Sequence, residues 1–474
     1  MPYSDLREYL RALEGRGKLR HIPVEVDKDW EIAAVCRRVF QRVHPKERPA
    51  LMFDKVKGFD IPVAAGTLGA SPEVYALALE CSPDEIHSRW ERAQLSPIEP
   101  EAVATGPCKE VVLQGDEVDL YRFPIPMWTV PHDPAPFITA PCIVSRDAET
   151  GTYNVGTYRV QVKGKDKTGV LVGERQHLAI HVAKNDALGR PTPVAIVIGP
   201  DPTIEMTSVA RVAYGVSELA VAGGLRGEPV AVVPCETVPL EVPATAEIVI
   251  EGEIPPNYRE LEGPFGEYPG YMGASGDAPV IQVKCITHRR NVIYRAFFSQ
   301  MPPSESSCIR GIGHEGAVFK HLRDDLRLPV VDFHLTESSG SAAIAIVAIR
   351  KQNPAQPRQV AQALWAFQPG LGKFLIVVED DIDIRDPFAV EWAMSFRVQP
   401  ERDIDIVRGV EAVGLDPSQA PPDVPHHDPI RMISSKVFID ATRKHRYPPL
   451  SLPPREHLER VDAQWEYYGL PTRP

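Results

Sequence analysis

No C-x-x-C pair occurs in this chain of 474 residues, and its seven cysteines (Cys36, Cys81, Cys108, Cys142, Cys235, Cys285 and Cys308) are scattered. The pattern reads as buried thiols in a reducing compartment. Basic patches are also missing. A net charge of −12 without a stripe of Lys and Arg argues against a nucleic-acid partner and against an anionic membrane surface. No apolar run approaches membrane-spanning length, and Met1-Pro2-Tyr3-Ser4-Asp5-Leu6-Arg7-Glu8 is charged and opens an amphipathic helix rather than a signal peptide. A cytoplasmic protein is expected. Apolar residues are not in short supply: at 43% they suffice for two or three cores in a chain too long for one. The 48 prolines point to many rigid loops between short strands.

The periodicities predict a mixed α/β, multidomain (α+β) chain. Residues 1–112 begin with a helix, its Leu6, Tyr9, Leu10 and Leu13 at helical spacing, and continue with short strands such as 50–53 into an N-terminal α/β cap. From 113 to 318 strands dominate (193–198, 230–233, 247–250), followed by an expected hairpin over 280–298 turning at His288-Arg289-Arg290-Asn291. Such a run suggests a β-barrel-like core. Over 325–445, strands at 330–333, 342–348 and 373–378 alternate with a helix at 359–367, which predicts a small C-terminal α/β domain. A Pro-rich linker at 417–429 lies within that span. Residues 446–474 form an arm broken by Pro-Pro at 448 and 453 and ending in a helix at 456–467, whose Leu458, Val461 and Trp465 make an apolar stripe. Isolated at the end of a polar arm, the stripe needs a surface to dock on, and a partner subunit is the expected acceptor.

Chemistry concentrates in Leu261-Glu262-Gly263-Pro264-Phe265-Gly266-Glu267-Tyr268-Pro269-Gly270-Tyr271-Met272-Gly273, where two carboxylates sit in a run that Gly and Pro forbid from being a helix. In an extended strand the odd offset between Glu262 and Glu267 would send them to opposite faces, so they converge only if Gly263, Pro264 and Gly266 fold the chain back. Carboxylates held together take different pKa values, as acid/base chemistry near neutral pH requires; the alternative is a pair of solvated loop charges. Residues 153–172 read as a β-hairpin with Arg159 and Gln161 on its polar face. An Arg facing a cavity offers a planar fork for a carboxylate, whereas on an outer strand it is an ordinary surface charge. His177 and His181 form an H-x-x-x-H pair without a third local ligand, a weak zinc signal. Gly311-Ile312-Gly313-His314-Glu315-Gly316 satisfies G-x-G-x-x-G, but Met301-Pro302-Pro303-Ser304 rather than a strand precedes it, so a dinucleotide site is not expected. The acids Glu379, Asp380, Asp381 and Asp383 follow a strand and read as caps and turn formers.

Taken with Asn154-Val155-Gly156-Thr157-Tyr158-Arg159, Gln176-His177, Gly215-Val216-Ser217-Glu218, Cys235-Glu236-Thr237 and Glu379-Asp380-Asp381-Ile382-Asp383, the glutamate loop resembles the UbiD-like decarboxylases from about residue 5 to about residue 470. That resemblance implies a central split β-barrel related to flavin reductases and a reversible, non-oxidative decarboxylase of an aromatic, heteroaromatic or α,β-unsaturated acid using prenylated FMN. By the same mapping Glu267 is the proton donor, Arg159 positions the substrate carboxylate and Glu262 buttresses Arg159. The resemblance further implies a divalent cation, Mn²⁺ or Mg²⁺, on Asn154, His177 and Glu218, with the flavin phosphate completing its shell. K⁺ or Na⁺ beside the phosphate and Gln176 and Lys373 as cofactor contacts are implied too. Arg310 falls at a pocket wall where cinnamate-type relatives carry an aliphatic residue. It either favours a second anionic or phenolic group on the substrate or turns away to Glu305 or Glu315. His427 lies in a Pro-bounded loop that reads as a solvated turn, though the resemblance brings that loop near the pocket. A homodimer or larger symmetric oligomer and a flavin prenyltransferase as cofactor supplier complete the expectation. Its rivals are a non-catalytic subunit of a multi-subunit carboxylase and a flavin oxidoreductase.

Overall fold

The computed structural model describes residues 3–173, 176–210, 212–421, 424 and 429–469. The first helix, Leu6–Gly15, starts where the Asp5 carboxylate accepts the Glu8 N–H at 2.8 Å, and it buries Leu6, Tyr9, Leu10 and Leu13. Next to it lies a four-stranded sheet in the order Leu19–Val26, Ala50–Val56, Val63–Ala65, Tyr294–Ala296. The centre of the molecule is a ten-stranded sheet in which every pairing is antiparallel. Its path runs from Phe137–Ile138 through Val160–Gly164, Lys167–Val170, Gly276–His288, Ile248–Ile254, Thr192–Ile198 and Cys142–Arg146 to Tyr153–Thr157, and no ladder among the described residues joins the two ends. The barrel is split. Its inner side chains share one continuous apolar cluster with the N-terminal helices and sheet, from Leu6 to Ile312. A five-stranded sheet, ordered Val330–Leu335, Ile344–Ile349, Phe374–Glu379, Ile433–Asp440, Ile404–Glu411, carries separate cores on its two faces.

Two expectations are corrected. Residues 280–298 do not form a hairpin: the strand Gly276–His288 stays in the central sheet, while Tyr294–Ala296 crosses to pair in parallel with Val63–Ala65. Arg295 supplies a physical reason. From that strand its Nε reaches Glu205 at 3.1 Å and its Nη2 reaches Glu305 at 2.6 Å, all three side chains being buried. A guanidinium in apolar surroundings needs both carboxylates, and they stand on the helices Pro202–Val209 and Glu305–Lys320 rather than across a hairpin. The segment expected at 230–233 is likewise outside the barrel, as the strand Ala231–Pro234 joins Glu101–Ala102 and Glu241–Pro243 in a small sheet of its own.

The G-x-G-x-x-G run lies inside the helix Glu305–Lys320, where it serves packing. A Cβ at Gly316 would collide with the His87 imidazole, and one at Gly311 would stand 2.8 Å from the Ser341 hydroxyl. Glu379 and Asp381 are taken up by Arg397 and Arg443, in line with a structural role for the acidic cluster. The seven cysteines are free thiols, and among the described residues no helix is long and apolar enough to cross a membrane. Near the C-terminus the helix is shorter than expected, Arg455–Asp462 followed by a 3₁₀ turn at Trp465–Tyr468, and Leu458 and Val461 remain about 40% exposed (41% and 38%).

Removing the cation from the Arg295 cluster leaves two buried carboxylates facing each other. Arg295→Met is therefore expected to lower unfolding free energy by about 3–5 kcal/mol. Urea denaturation of variant and parent measures it.

Candidate active site

The strand Arg259–Glu262 ends at Glu262, and the next residue, Gly263, takes φ +82°, a left-handed conformation that side chains other than glycine's adopt with strain. Its N–H donates to the Gln161 side-chain oxygen at 3.1 Å, and a Cβ there would sit 3.3 Å from the Arg159 guanidinium. The chain then folds into a small loop, closed by the Gly266–Met272 bridge and by the Glu267 N–H donating to the Tyr271 carbonyl at 2.8 Å. The reversal brings both glutamates onto one guanidinium. Arg159 Nε and Nη2 donate to the two Glu262 oxygens at 3.0 and 2.7 Å, and Nη1 donates to Glu267. The Glu262 side chain has no solvent exposure, and the guanidinium lies 5.4 Å from the centre of the Phe265 ring. Burial raises the Glu267 pKa and the charge of Glu262 adds to the effect, against the opposing pull of Arg159 and Arg310. Arg159 was expected on a strand. It lies instead in the break between Tyr153–Thr157 and Val160–Gly164, the second of which forms the hairpin with Lys167–Val170.

Five residues earlier on the same segment, Asn154 is buried on the strand Tyr153–Thr157, one of three elements that meet here. His177 opens the helix His177–Ala187, and Glu218 opens Glu218–Arg226. Ser217 holds the N-cap position, though its side chain makes no capping bond. Glu218 accepts the Val155 N–H at 2.9 Å, and its other oxygen is 3.7 Å from His177 Nδ1. Among the described residues no Lys or Arg pairs with it. Burial pushes its carboxyl up to about 7, only partly offset by backbone N–H donors, and burial also lowers the His177 pKa, which favours the neutral imidazole a metal requires. His181 does not join this group. It faces Ser145, whose hydroxyl is 3.0 Å from its Nδ1.

The remaining expectations divide. Arg310 turns to neither Glu305, which is engaged by Arg295, nor Glu315, which is held by His334. Its guanidinium lies 3.8 Å from the centre of the Tyr268 ring and donates to the Gly340 carbonyl, close enough to Glu267 for each charge to stabilise the other. Lys373 is not drawn toward Asn154, His177 and Glu218: it reaches Asp416 at 2.7 Å and the Ser418 hydroxyl at 2.8 Å. Gln176 is spent at the start of its helix, accepting the Gly173 N–H at 2.6 Å. His427 lies outside the described residues. Tyr268, Asp147 and Tyr214 carry no motif of their own, since each meets a partner distant in the chain.

Comparisons with known proteins agree over nearly the whole length. The chain matches three domain families of 3-octaprenyl-4-hydroxybenzoate carboxy-lyase: the N-terminal domain over residues 10–93, the Rift-related domain over 101–302 and the C-terminal domain over 307–441. An uncharacterized protein of Synechocystis is 33% identical, the match covering 98% of this chain and 96% of that protein. Among solved structures, the UbiD-class enzyme HmfF from Pelotomaculum thermopropionicum in complex with FMN is 34% identical with a TM-score of 0.87, over 97% of this chain and 99% of that one. An evolved dimeric form of the same enzyme in complex with prFMN gives 33% and 0.84, over 97% and 100%. The 3,4-dihydroxybenzoic acid decarboxylase of Klebsiella pneumoniae, in its apo form, is 28% identical with a TM-score of 0.84, over 97% and 99%.

A carboxyl held near 7 makes cation binding compete with a proton. Below that value any cation bound through Glu218 would have to displace the proton, so if the site takes Mn²⁺ its affinity is expected to fall about tenfold per pH unit, with proton release to the buffer. Calorimetry in buffers of different ionisation enthalpy measures both. The same raised pKa makes the Glu218 contribution to metal-free stability fully present below the ordinary carboxylate range and lost as pH rises through about 7.

Proposed function

The chain belongs to the UbiD family of carboxy-lyases, and within it we propose a reversible, non-oxidative decarboxylase of an aromatic, heteroaromatic or α,β-unsaturated acid that works with prenylated FMN. One observation carries this reading: a single guanidinium is shared by a fully buried glutamate and by a second whose pKa is raised. Loss of CO₂ leaves electron density on carbon that no amino-acid side chain can accept, and the flavin supplies that sink when bound. The rest falls to the protein. Glu262, chelating Arg159 through both oxygens, fixes the guanidinium plane. Arg159 then presents Nη1 to whichever anion occupies the pocket, Glu267 or a substrate carboxylate. When Glu267 holds a proton its claim on Nη1 weakens, so the state that can protonate product carbon is also the state that frees Arg159 for substrate. A non-catalytic subunit would have no use for that coupling, and an oxidoreductase would not need it.

The donor set fits a hard divalent cation. Asn154 and Glu218 offer oxygens, His177 offers an imidazole, and among the described residues no Lys or Arg neutralises the buried Glu218 carboxylate. Mn²⁺ or Mg²⁺ held there would bind the flavin phosphate, with K⁺ or Na⁺ beside it on backbone carbonyls and a flavin prenyltransferase supplying the cofactor. Arg310, beside Tyr268 and Glu267, favours an acid with a second anionic or phenolic group. The exposed stripe of the C-terminal helix favours a homodimer in which this helix crosses to the neighbouring chain.

Glu267→Gln is expected to lower product formation by about 10²–10⁴-fold while cofactor content stays the same. Turnover assays at equalised cofactor loading check it, and near-parent rates would exclude Glu267 as the donor. Arg310→Leu is expected to cost about 1.5–3 kcal/mol in kcat/KM for an acid with a second anionic group and little for a plain aromatic acid. Equal losses on both would remove Arg310 as the discriminator. Truncation after Pro454 should convert a dimer to monomer or aggregate, and light scattering that finds an unchanged mass would rule out the exchanged helix.

A further inference from the structure

The three residues that could hold a cation stand on three separate elements, and a single buried carboxylate beyond them ties those elements together. Asp147 closes the turn after Cys142–Arg146, the strand hydrogen-bonded to the Asn154 strand. Its Oδ1 accepts the Glu149 and Thr150 N–H groups at 2.8 and 3.1 Å, which fixes the carboxylate plane. Oδ2 is left for side chains from elsewhere. Lys184, on the helix that His177 opens, reaches it at 2.8 Å. Tyr214, from the loop that leads into Glu218, donates its hydroxyl to the same oxygen. The Tyr214 ring stands edge-on to the His177 ring, with centroids 5.1 Å apart and planes at 89°. On the far side His181 Nε2 lies 3.9 Å from Asp147, while its Nδ1 meets Ser145, whose hydroxyl also accepts from the Asn154 amide at 3.4 Å.

We propose that Asp147 and Tyr214 are positioning residues for the divalent cation, forming a latch that holds the His177 ring, the Asn154 amide and the Glu218 loop in one ligating arrangement. This rests on the reading of Asn154, His177 and Glu218 as the cation site. The latch acts at a distance from the metal. Asp147 fixes Tyr214 and Lys184, Tyr214 walls one side of His177, and the Ser145–His181 pair orients the amide of Asn154. The Val155 N–H bond already ties Glu218 to the Asn154 strand, and the Tyr214 hydroxyl bond adds the tie to Asp147 and, through Lys184, to the His177 helix; without it the three ligands are held together less tightly.

Tyr214→Phe tests the latch with little risk to folding, since the ring is 44% exposed and only the hydroxyl is removed. Mn²⁺ alone is titrated into metal-free parent, Tyr214→Phe and His177→Ala proteins, with free Mn²⁺ read by electron paramagnetic resonance and unfolding of the metal-free proteins followed in parallel. Tyr214→Phe is expected to weaken Mn²⁺ binding about tenfold with an unchanged metal-free unfolding midpoint. Its flavin absorbance after purification should be reduced, and less so when Mn²⁺ is present throughout the purification. Parent-like affinity in Tyr214→Phe, alongside loss of binding in His177→Ala, would overturn the latch and leave the cation site standing. A loss of affinity accompanied by an equal loss of metal-free stability would also overturn it, as a general structural effect. Parent-like binding in His177→Ala would overturn the cation site, and the latch with it.

Discussion

A guanidinium with three donor nitrogens and two carboxylates to satisfy has little freedom, and Arg159 uses that constraint to hold the site in register. Glu262 takes Nε and Nη2 together, so the plane of the fork is set by the end of the Arg259–Glu262 strand. Nη1 is the one nitrogen pointing onward, and the loop that follows delivers Glu267 to it. Everything depends on the tightness of the turn. Gly263 takes its left-handed conformation where a Cβ would press against the Arg159 fork, while Gln161 holds the amide of the same residue. A charged group this deeply placed is costly unless paired at both ends, which is why Arg159→Ala would unsettle two acids rather than one.

The same economy recurs away from the chemistry. Arg295 joins Glu205 and Glu305, and Glu305 in turn accepts the N–H groups of Gly66, Leu68 and Phe298. This cluster anchors the helix Glu305–Lys320 to the N-terminal sheet. Five residues after Glu305, that helix carries Arg310 to the Tyr268 ring and so to the rim of the glutamate loop. Tyr268 also donates its hydroxyl to the Gly414 carbonyl, so the loop touches the C-terminal sheet region as well. The reacting end of the site is thereby braced from two sides by groups that need not touch substrate.

Much of this was legible in the sequence where the signal was local. The Gly and Pro spacing of the 261–273 run requires a reversal, and the reversal is what makes Glu262 and Glu267 meet. The first helix follows from the spacing of Leu6, Tyr9, Leu10 and Leu13 with Asp5 before them, and the dinucleotide reading of the Gly311–Gly316 run was rightly set aside because no strand precedes it. What depended on distant partners was not legible. The turn at His288-Arg289-Arg290-Asn291 looks like a hairpin from its own residues, and only the buried acids on the two helices packed against Arg295 show why Tyr294–Ala296 leaves. Lys373 was expected to open a strand that instead begins one residue later, at Phe374–Glu379, and its charge is claimed by Asp416, 43 residues further on. Tyr214 and Asp147 carry no motif at all; their meaning comes from a contact 67 residues apart in the chain.

Burial outweighs the pull of Arg159 and Arg310 and raises the Glu267 pKa, which is what the proposed proton donor requires. Infrared difference spectra recorded along a pH titration, on the parent and on Glu267→Gln, test it without knowledge of the substrate. Expected is a carboxyl that ionises above the ordinary glutamate range of about 4.3 and whose signal disappears in Glu267→Gln. A variant whose titration overlays that of the parent, or a Glu267 signal already ionised at the ordinary range, would contradict it.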